Sequence, residues 1–320
     1  MRRMVLALAA LALGVPAALA QSFPDRPVRL VIPYAAGGAL DVIGRPVAEQ
    51  FQRITGQPMV LENRAGANGT IAADYVAKAR PDGTTLFMAT SGPITVAPSL
   101  MGSLPYDAQS DLVPVTYLVN MPNALFAARG AVGQDLAGVL AAGRASPGRI
   151  PFGYPGNGSQ GHLAMALMSQ ATGTEWLTVS YRGASQVLND MVAGTVGLTF
   201  TTYATARGLM ADGRVRPIAV AAAARTASMP DVPTFAELGY PEVEVPLWAG
   251  VMAPRGTPDA IVARLHEVLR EAVTSPAVRT LMEGVGADIS AQGPPDFAAM
   301  LRADHARWAG VIRRASITAD

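Results

Sequence analysis

Apolar runs of strand length alternate with amphipathic runs of helical period along this 320-residue chain, and the alternation breaks and restarts once. Val28–Pro33 reads as a strand and about 41–55 as a helix. MVLEN (59–63), TIAADYVAKA (70–79) and TLFMAT (85–90) repeat the strand, helix, strand order. Such alternation needs crossover connections, which build parallel sheets covered by helices on both faces. VPVTYLVNMPNALFAAR (113–129) then runs long, apolar and extended with no helix inside it. The alternation resumes through DLAGVLAAGR (135–144), RIPFGY (149–154), GHLAMALMSQATG (161–173) and further units as far as VRPIAVAAA. A second extended segment, VEVPLWAGVMAP (243–254), leads to helical stretches at 258–275 and about 297–315. Two α/β units joined by two extended crossings predict two lobes, hinge positions near 117–129 and 245–253, and closing helices that return to the first lobe. A cleft between such lobes is where a small ligand sits.

The first twenty residues follow a different logic. MRRMVLALAALALGVPAALA has two arginines, an apolar core and Ala18-Leu19-Ala20, the layout of a secretory signal peptide cut after Ala20. Gly14 and Pro16 interrupt its apolar run, which is shorter than the ~20 residues a membrane span needs. Removing these residues takes away two arginines and no acid, leaving 23 basic and 24 acidic residues. That balance gives no reason to expect nucleic acid or a membrane surface as partner. The chain has no cysteine, which excludes disulfides, thiolate nucleophiles and thiolate metal sites. The expected product is a soluble periplasmic monomer.

Three glycine-turn readings compete. Gly156-Asn157-Gly158-Ser159-Gln160-Gly161 fits the dinucleotide fingerprint, but the strand that follows ends in Ser180-Tyr181-Arg182 without the acid the fingerprint requires. The same loop approximates a nucleophile elbow around Ser159, with Asn157 in place of the first glycine. A triad would then need His266 or His305, both in amphipathic helical stretches. The third reading takes this loop together with Ala35–Gly38. Each follows a strand and opens a helix, so backbone N–H groups and the helix N-terminus face outward where a carboxylate can be held. This is capture chemistry. Three scattered histidines show no metal-ligand spacing, and no cofactor is expected.

The blocks FPDRPVRLVIPYAAGGALDVIGR, ENRAGANGTIAADYVAKARPDGTTLFMATSG, GNGSQGHLA, VSYRGASQVLNDMVAGTVGLTF, RPIAVAAAARTASMPDVPTFAELG and WAGVMAPRGTP resemble the Bug (TctC-like) family in sequence and order. These are periplasmic solute-binding proteins of tripartite tricarboxylate transporters, and the likeness spans about residues 22–317. It implies an α/β, two-lobed Venus-flytrap fold with two mixed or parallel sheets, lobe 1 from 21–121 and 249–320, and lobe 2 from 122–248. It implies no catalysis, a small carboxylate as ligand and a membrane permease as partner. Carried over, the ligand-binding residues are Tyr34, Ala35, Gly37, Gly38 and Asp41 on the first loop, and Thr90 and Ser91 at a first-lobe strand end. Opposite them stand Gly156, Asn157, Ser159, Tyr181 and Thr201. Asp41 is expected to cap its helix or to order water.

Three departures bear on the ligand. Leu40 stands where the family has a small hydroxyl residue, Thr201 where it has an aspartate, and Tyr154-Pro155 where it often has serines. They point to a ligand without an amino group, a dicarboxylate or an aromatic or apolar carboxylate. The alternatives are an exported serine hydrolase using Ser159 and a ligand-loaded sensor that docks on a membrane receptor. The export reading has a direct check. Intact mass of the protein from a periplasmic extract should match a chain starting at Gln21, and an uncut amino terminus would contradict it.

Overall fold

The computed structural model describes residues 23–315 and residue 317; the signal segment expected at 1–20 lies outside them. The first unit is β1 (Val28–Ile32), α1 (Ala39–Thr55), β2 (Met59–Asn63), α2 (Thr70–Ala77) and β3 (Thr85–Ala89). A π-turn at Gly92–Val96 runs into the short α3 (Ala97–Leu100). β1 pairs in parallel with both β2 and β3. Its sequence VRLVI is buried at every position but one, because helices cover both faces of the sheet. Leu30 and Ile32 face the core formed with α1, while Val31 faces a second core with Ala72, Ala73 and Val76 of α2.

β4 (Leu112–Ala128) is a single strand of seventeen residues. Its first part, to Pro122, pairs antiparallel with β9 (Pro246–Pro254) and β10 (Asp288–Gln292). Its last part, from Asn123, lies between β7 (Leu198–Thr202) and β8 (Val215–Ala221). The second unit adds α4 (Leu136–Ala145), β5 (Pro151–Tyr154), α5 (Gln160–Thr172), β6 (Leu177–Ser180), α6 (Ala184–Ala193) and α7 (Tyr203–Ala211). β5 pairs in parallel with β6 and β7. The two expected sheets are therefore one continuous hydrogen-bonded path through the shared β4. The change of partners falls where Pro122 faces Pro246, two residues with no N–H to give the ladder. Just beyond it the buried Asn123 amide donates to Val245 O at 2.8 Å, tying the crossings together.

The chain closes with α8 (Asp259–Thr274), α9 (Pro276–Gly284), β10 and α10 (Pro294–Ala315). α8 and α9 pack on the first lobe through Leu265, Leu269, Val273 and Met282. α10 does not stay on one lobe. Phe297 stacks on Tyr117 and meets Trp248 edge-on in a first-lobe core. Gly250 makes room for it, since a Cβ there would overlap the Phe297 ring. A few turns later Trp308, Val311 and Ile312 enter the second-lobe core with Leu125, Phe152, Leu163 and Phe200. Between the two contacts the Asp304 carboxylate accepts from Thr95 Oγ1 at 2.5 Å and from Trp248 Nε1 at 2.9 Å. Val96 and Leu100 of the first unit also reach that second-lobe core. Among the described residues no helix is long and apolar enough to cross a membrane.

Trp308 is 1% exposed and joins a closing helix to the far lobe. Trp308→Ala should cost about 3–5 kcal/mol, as other large aromatic truncations in cores do. The check is the midpoint of urea unfolding at unchanged slope.

Candidate functional site

The carboxyl ends of β1, β3, β5, β6 and β7 carry the loops singled out in the sequence, and the loops of the two lobes meet. The first-lobe loop is Pro33–Gly38. Gly37 takes φ +84°, a left-handed conformation that suits glycine. The helix N-cap of α1 is Gly38, so Asp41 lies in the first turn of the helix rather than at its cap. Its carboxylate nevertheless organises the loop. Oδ2 accepts from Gly37 N–H and from Arg45, and Oδ1 from Asn63 Nδ2, each at 2.9 Å. Asn63 Nδ2 also donates to Tyr34 O at 3.0 Å. Burial pushes the Asp41 carboxyl up, but the bonds from Asn63, Gly37 and Arg45 outweigh it and hold it below the usual range. Gly37 N–H is thereby committed within the loop. The N–H groups of Gly38, Ala39 and Leu40 have no acceptor among the described residues, and they are the first turn of α1.

Leu40 is buried in the first-lobe core beside Ile43 and Leu118, so this departure from the family pattern adds nothing apolar to the cleft. Tyr34 half-buries its ring, and its hydroxyl lies 3.3 Å from Asn68 Oδ1 and 3.4 Å from Thr90 Oγ1. Burial raises its phenol. Thr90 and Ser91 are both buried at the end of β3. Ala35 is exposed on the outer edge of the loop.

In the second lobe, Ser159 is the N-cap of α5, its hydroxyl accepting His162 N–H at 3.3 Å. Gly156 takes φ +104° and Gly158 φ +70°. Gly158 N–H donates to His162 Nδ1 at 3.1 Å, and the His162 ring stacks on Tyr154 at 4.6 Å. Tyr154 in turn donates to Asn157 Oδ1 at 3.0 Å. Burial holds His162 below the usual imidazole range, so it is neutral, and an accepting Nδ1 leaves the proton on Nε2. Tyr154 and His162 thus shape the loop as a stacked support. Tyr181 follows β6, and its hydroxyl donates to Asp190 Oδ2 at 2.6 Å; burial and that carboxylate push it up to about 12. Thr201, buried at the end of β7, pairs with Ala124 of β4 and lies on the sheet face opposite Phe200.

No nucleophile triad forms around Ser159. His162 Nδ1 takes Gly158 N–H, His266 Nδ1 lies 3.0 Å from Thr116 Oγ1, and His305 Nε2 lies 3.1 Å from Gln109.

Residues not singled out from the sequence join the lobes directly. Asn68 Nδ2 donates to Gly158 O at 2.8 Å. Gln160 Nε2 donates to Ser91 Oγ at 2.8 Å and to Pro246 O at 2.6 Å. Leu100 lies so close to Gly158 that a Cβ there would overlap it. The Asn68-Gly69 pair is a local signal for a left-handed turn, yet no linear pattern says that its amide reaches residue 158.

The family model described as the tripartite tricarboxylate transporter family receptor, TctC, matches residues 43–317. Protein BugT of Bordetella pertussis is 35% identical over 295 residues, covering 92% of this chain and 90% of that protein. Rpa4515 from R. palustris, solved with adipate, superposes with a TM-score of 0.89 at 33% identity, covering 92% of this chain and 99% of that one. MatC from Rhodopseudomonas palustris, with bound malate, gives a TM-score of 0.85 at 32% identity, covering 91% and 100%. These similarities are to two-lobed binding proteins and reach across the described fold. The chain belongs to the TctC family of periplasmic solute-binding proteins and is not an enzyme.

Proposed function

We propose that this protein captures a small dicarboxylate between its lobes and delivers it to the membrane permease of a tripartite tricarboxylate transporter. The observation that carries this reading is that the two lobes meet where Asn68 reaches Gly158 in the second glycine loop, while the first turn of α1 leaves N–H groups for an acceptor. One carboxylate sits at that first turn, on Gly38 and its neighbours, with the hydroxyls of Tyr34 and Thr90 beside it. The opposing wall is Gly156, Asn157 and Ser159, and Thr201 offers a neutral hydroxyl where an aspartate would favour an amino group. The adipate and malate of the two similar structures are acids of this kind. Asp41 does not meet the anion; it fixes the loop by holding Gly37 and Asn63. Export follows cleavage after Ala20, the working form is a monomer, and lobe closure bends the crossings near Pro122 and Pro246.

A thermal-shift screen on residues 21–320 tests the ligand class. Ligand at a hundred times its dissociation constant adds about 2.7 kcal/mol. That is a rise of several degrees for a chain of this size. Dicarboxylates such as adipate and malate should raise the melting temperature, and amino acids should not. A response to amino acids alone would reverse the reading of Thr201.

Asp41 supplies a pH signature. Asp41→Ala should cost about 1.5–3 kcal/mol at pH 7, the range for hydrogen bonds to a charged group. The folded carboxyl lies below its unfolded value of about 3.9. Its contribution is therefore complete above that value and is lost as pH falls through the lower, folded one. Urea midpoints of wild type and variant should differ at pH 7 and converge below about pH 4.

A further inference from the structure

We infer that Asn68 and Gln160 form a two-part latch that favours the closed arrangement of the lobes and so sets ligand affinity through closure. The two donors are symmetric in logic. Asn68, from the first lobe, donates to Gly158 O in the second. Gln160, from the second lobe, donates to Ser91 Oγ in the first and to Pro246 O on the returning crossing. Both are carboxamides, so neither bond changes with the charge of a bound acid.

The Asn68 side is built at a conformational cost. Ala67 and Asn68 take φ +45° and +50°, two consecutive non-glycine residues in the left-handed region, between Gly66 at φ +133° and Gly69 at φ +89°. Left-handed backbone is unfavourable at residues other than glycine, at alanine more than at asparagine, and persists only where the surroundings impose it. Here Pro33 and Pro93 press on Gly69, where an added Cβ would lie 2.8 Å and 3.3 Å from them, and Thr70 Oγ1 donates to Ala67 O at 2.9 Å. The strain aims one amide across the cleft. Its Nδ2 goes to Gly158 O, and its Oδ1 lies 3.3 Å from the Tyr34 hydroxyl, which in turn lies 3.4 Å from Thr90. The same short chain thus joins a proposed ligand wall to the opposite lobe. Around it the fit is tight: a Cβ on Gly158 would overlap Leu100, and one on Gly92 would lie 2.8 Å from the Tyr34 hydroxyl and 3.1 Å from Asn68 Nδ2.

The affinity part of this inference rests on the carboxylate-binding reading; the shape part does not. The test uses the mature chain and the variants Asn68→Gly, Gln160→Met and both together. Glycine keeps the left-handed turn without its strain and removes only the amide; methionine keeps length and removes the donor. Small-angle scattering without added ligand should give a larger radius of gyration for the double variant than for wild type. Calorimetric titration with adipate and with malate should show each single variant binding about 2- to 12-fold more weakly, the equivalent of one neutral hydrogen bond. Melting temperatures of the single variants should stay within about 4 °C of wild type. Equal radii for wild type and double variant, unchanged affinities, or a collapse of melting temperature in Asn68→Gly would each overturn the latch. If wild type binds neither acid, the carboxylate reading fails, and the radii still decide the latch.

Discussion

Everything in this fold depends on one strand serving two sheets. β4 contributes its first eleven residues to the first lobe and its last six to the second, without a break in the chain between. A shared strand cannot be pulled from either sheet without losing a ladder of buried backbone hydrogen bonds, so it holds the lobes together. The point where it changes partners is marked by chemistry. Pro122 faces Pro246, and at that point neither crossing has an N–H to donate. A pair of prolines removes ladder bonds while Asn123 restores one sideways bond to Val245. The result is a joint where the ladder is interrupted and one side-chain bond ties the crossings.

α10 limits that joint further. Its first turns are fixed to the first lobe by Phe297, and its last turns to the second by Trp308, Val311 and Ile312. A rigid helix anchored in two bodies transmits rotation only if one anchor yields or the rotation axis passes close to it. Asp304 sits between the anchors, bonded to Thr95 and Trp248, close to the returning crossing. This placement puts a polar tie between the two anchors.

The strands and helices were legible because burial on two faces leaves a mark in sequence. β4 stands out as a long apolar run, and α8 as an amphipathic one, whatever they pack against. The core partners were not legible for the same reason. An amphipathic pattern says which residues of α10 are buried and not which lobe buries them. Leu40 shows the limit at one residue: its place beside the glycine loop suggests a cleft wall, but its helix turns it into the first-lobe core. Asp41 is similar. An acid after two glycines suits a cap, but φ at Gly37 carries the chain so that the carboxylate reaches back to the loop from inside the helix. The glycine loops themselves were readable as turns that open helices. The bonds from Asn68 and Gln160 that join the lobes were not, because they link residues about ninety and seventy positions apart by single side chains.

The strength of a latch has an upper limit set by its purpose. A solute can bias closure only by the difference between its affinities for the closed and open forms. If the closed form were favoured very strongly in advance, ligand would have no open form to enter and the partner no signal of loading. If it were not favoured at all, part of the binding free energy would be consumed in closing, and apparent affinity would fall by the closed fraction. Two neutral side-chain donors, each contributing about 0.5–1.5 kcal/mol, lie between these limits. An ion pair near the site would respond to the charge of the solute and to salt. Carboxamides respond to neither, which leaves the charge of the solute to the backbone N–H groups and neutral hydroxyls of the proposed site. A latch of that size would keep closure near balance, where a small anion can decide it.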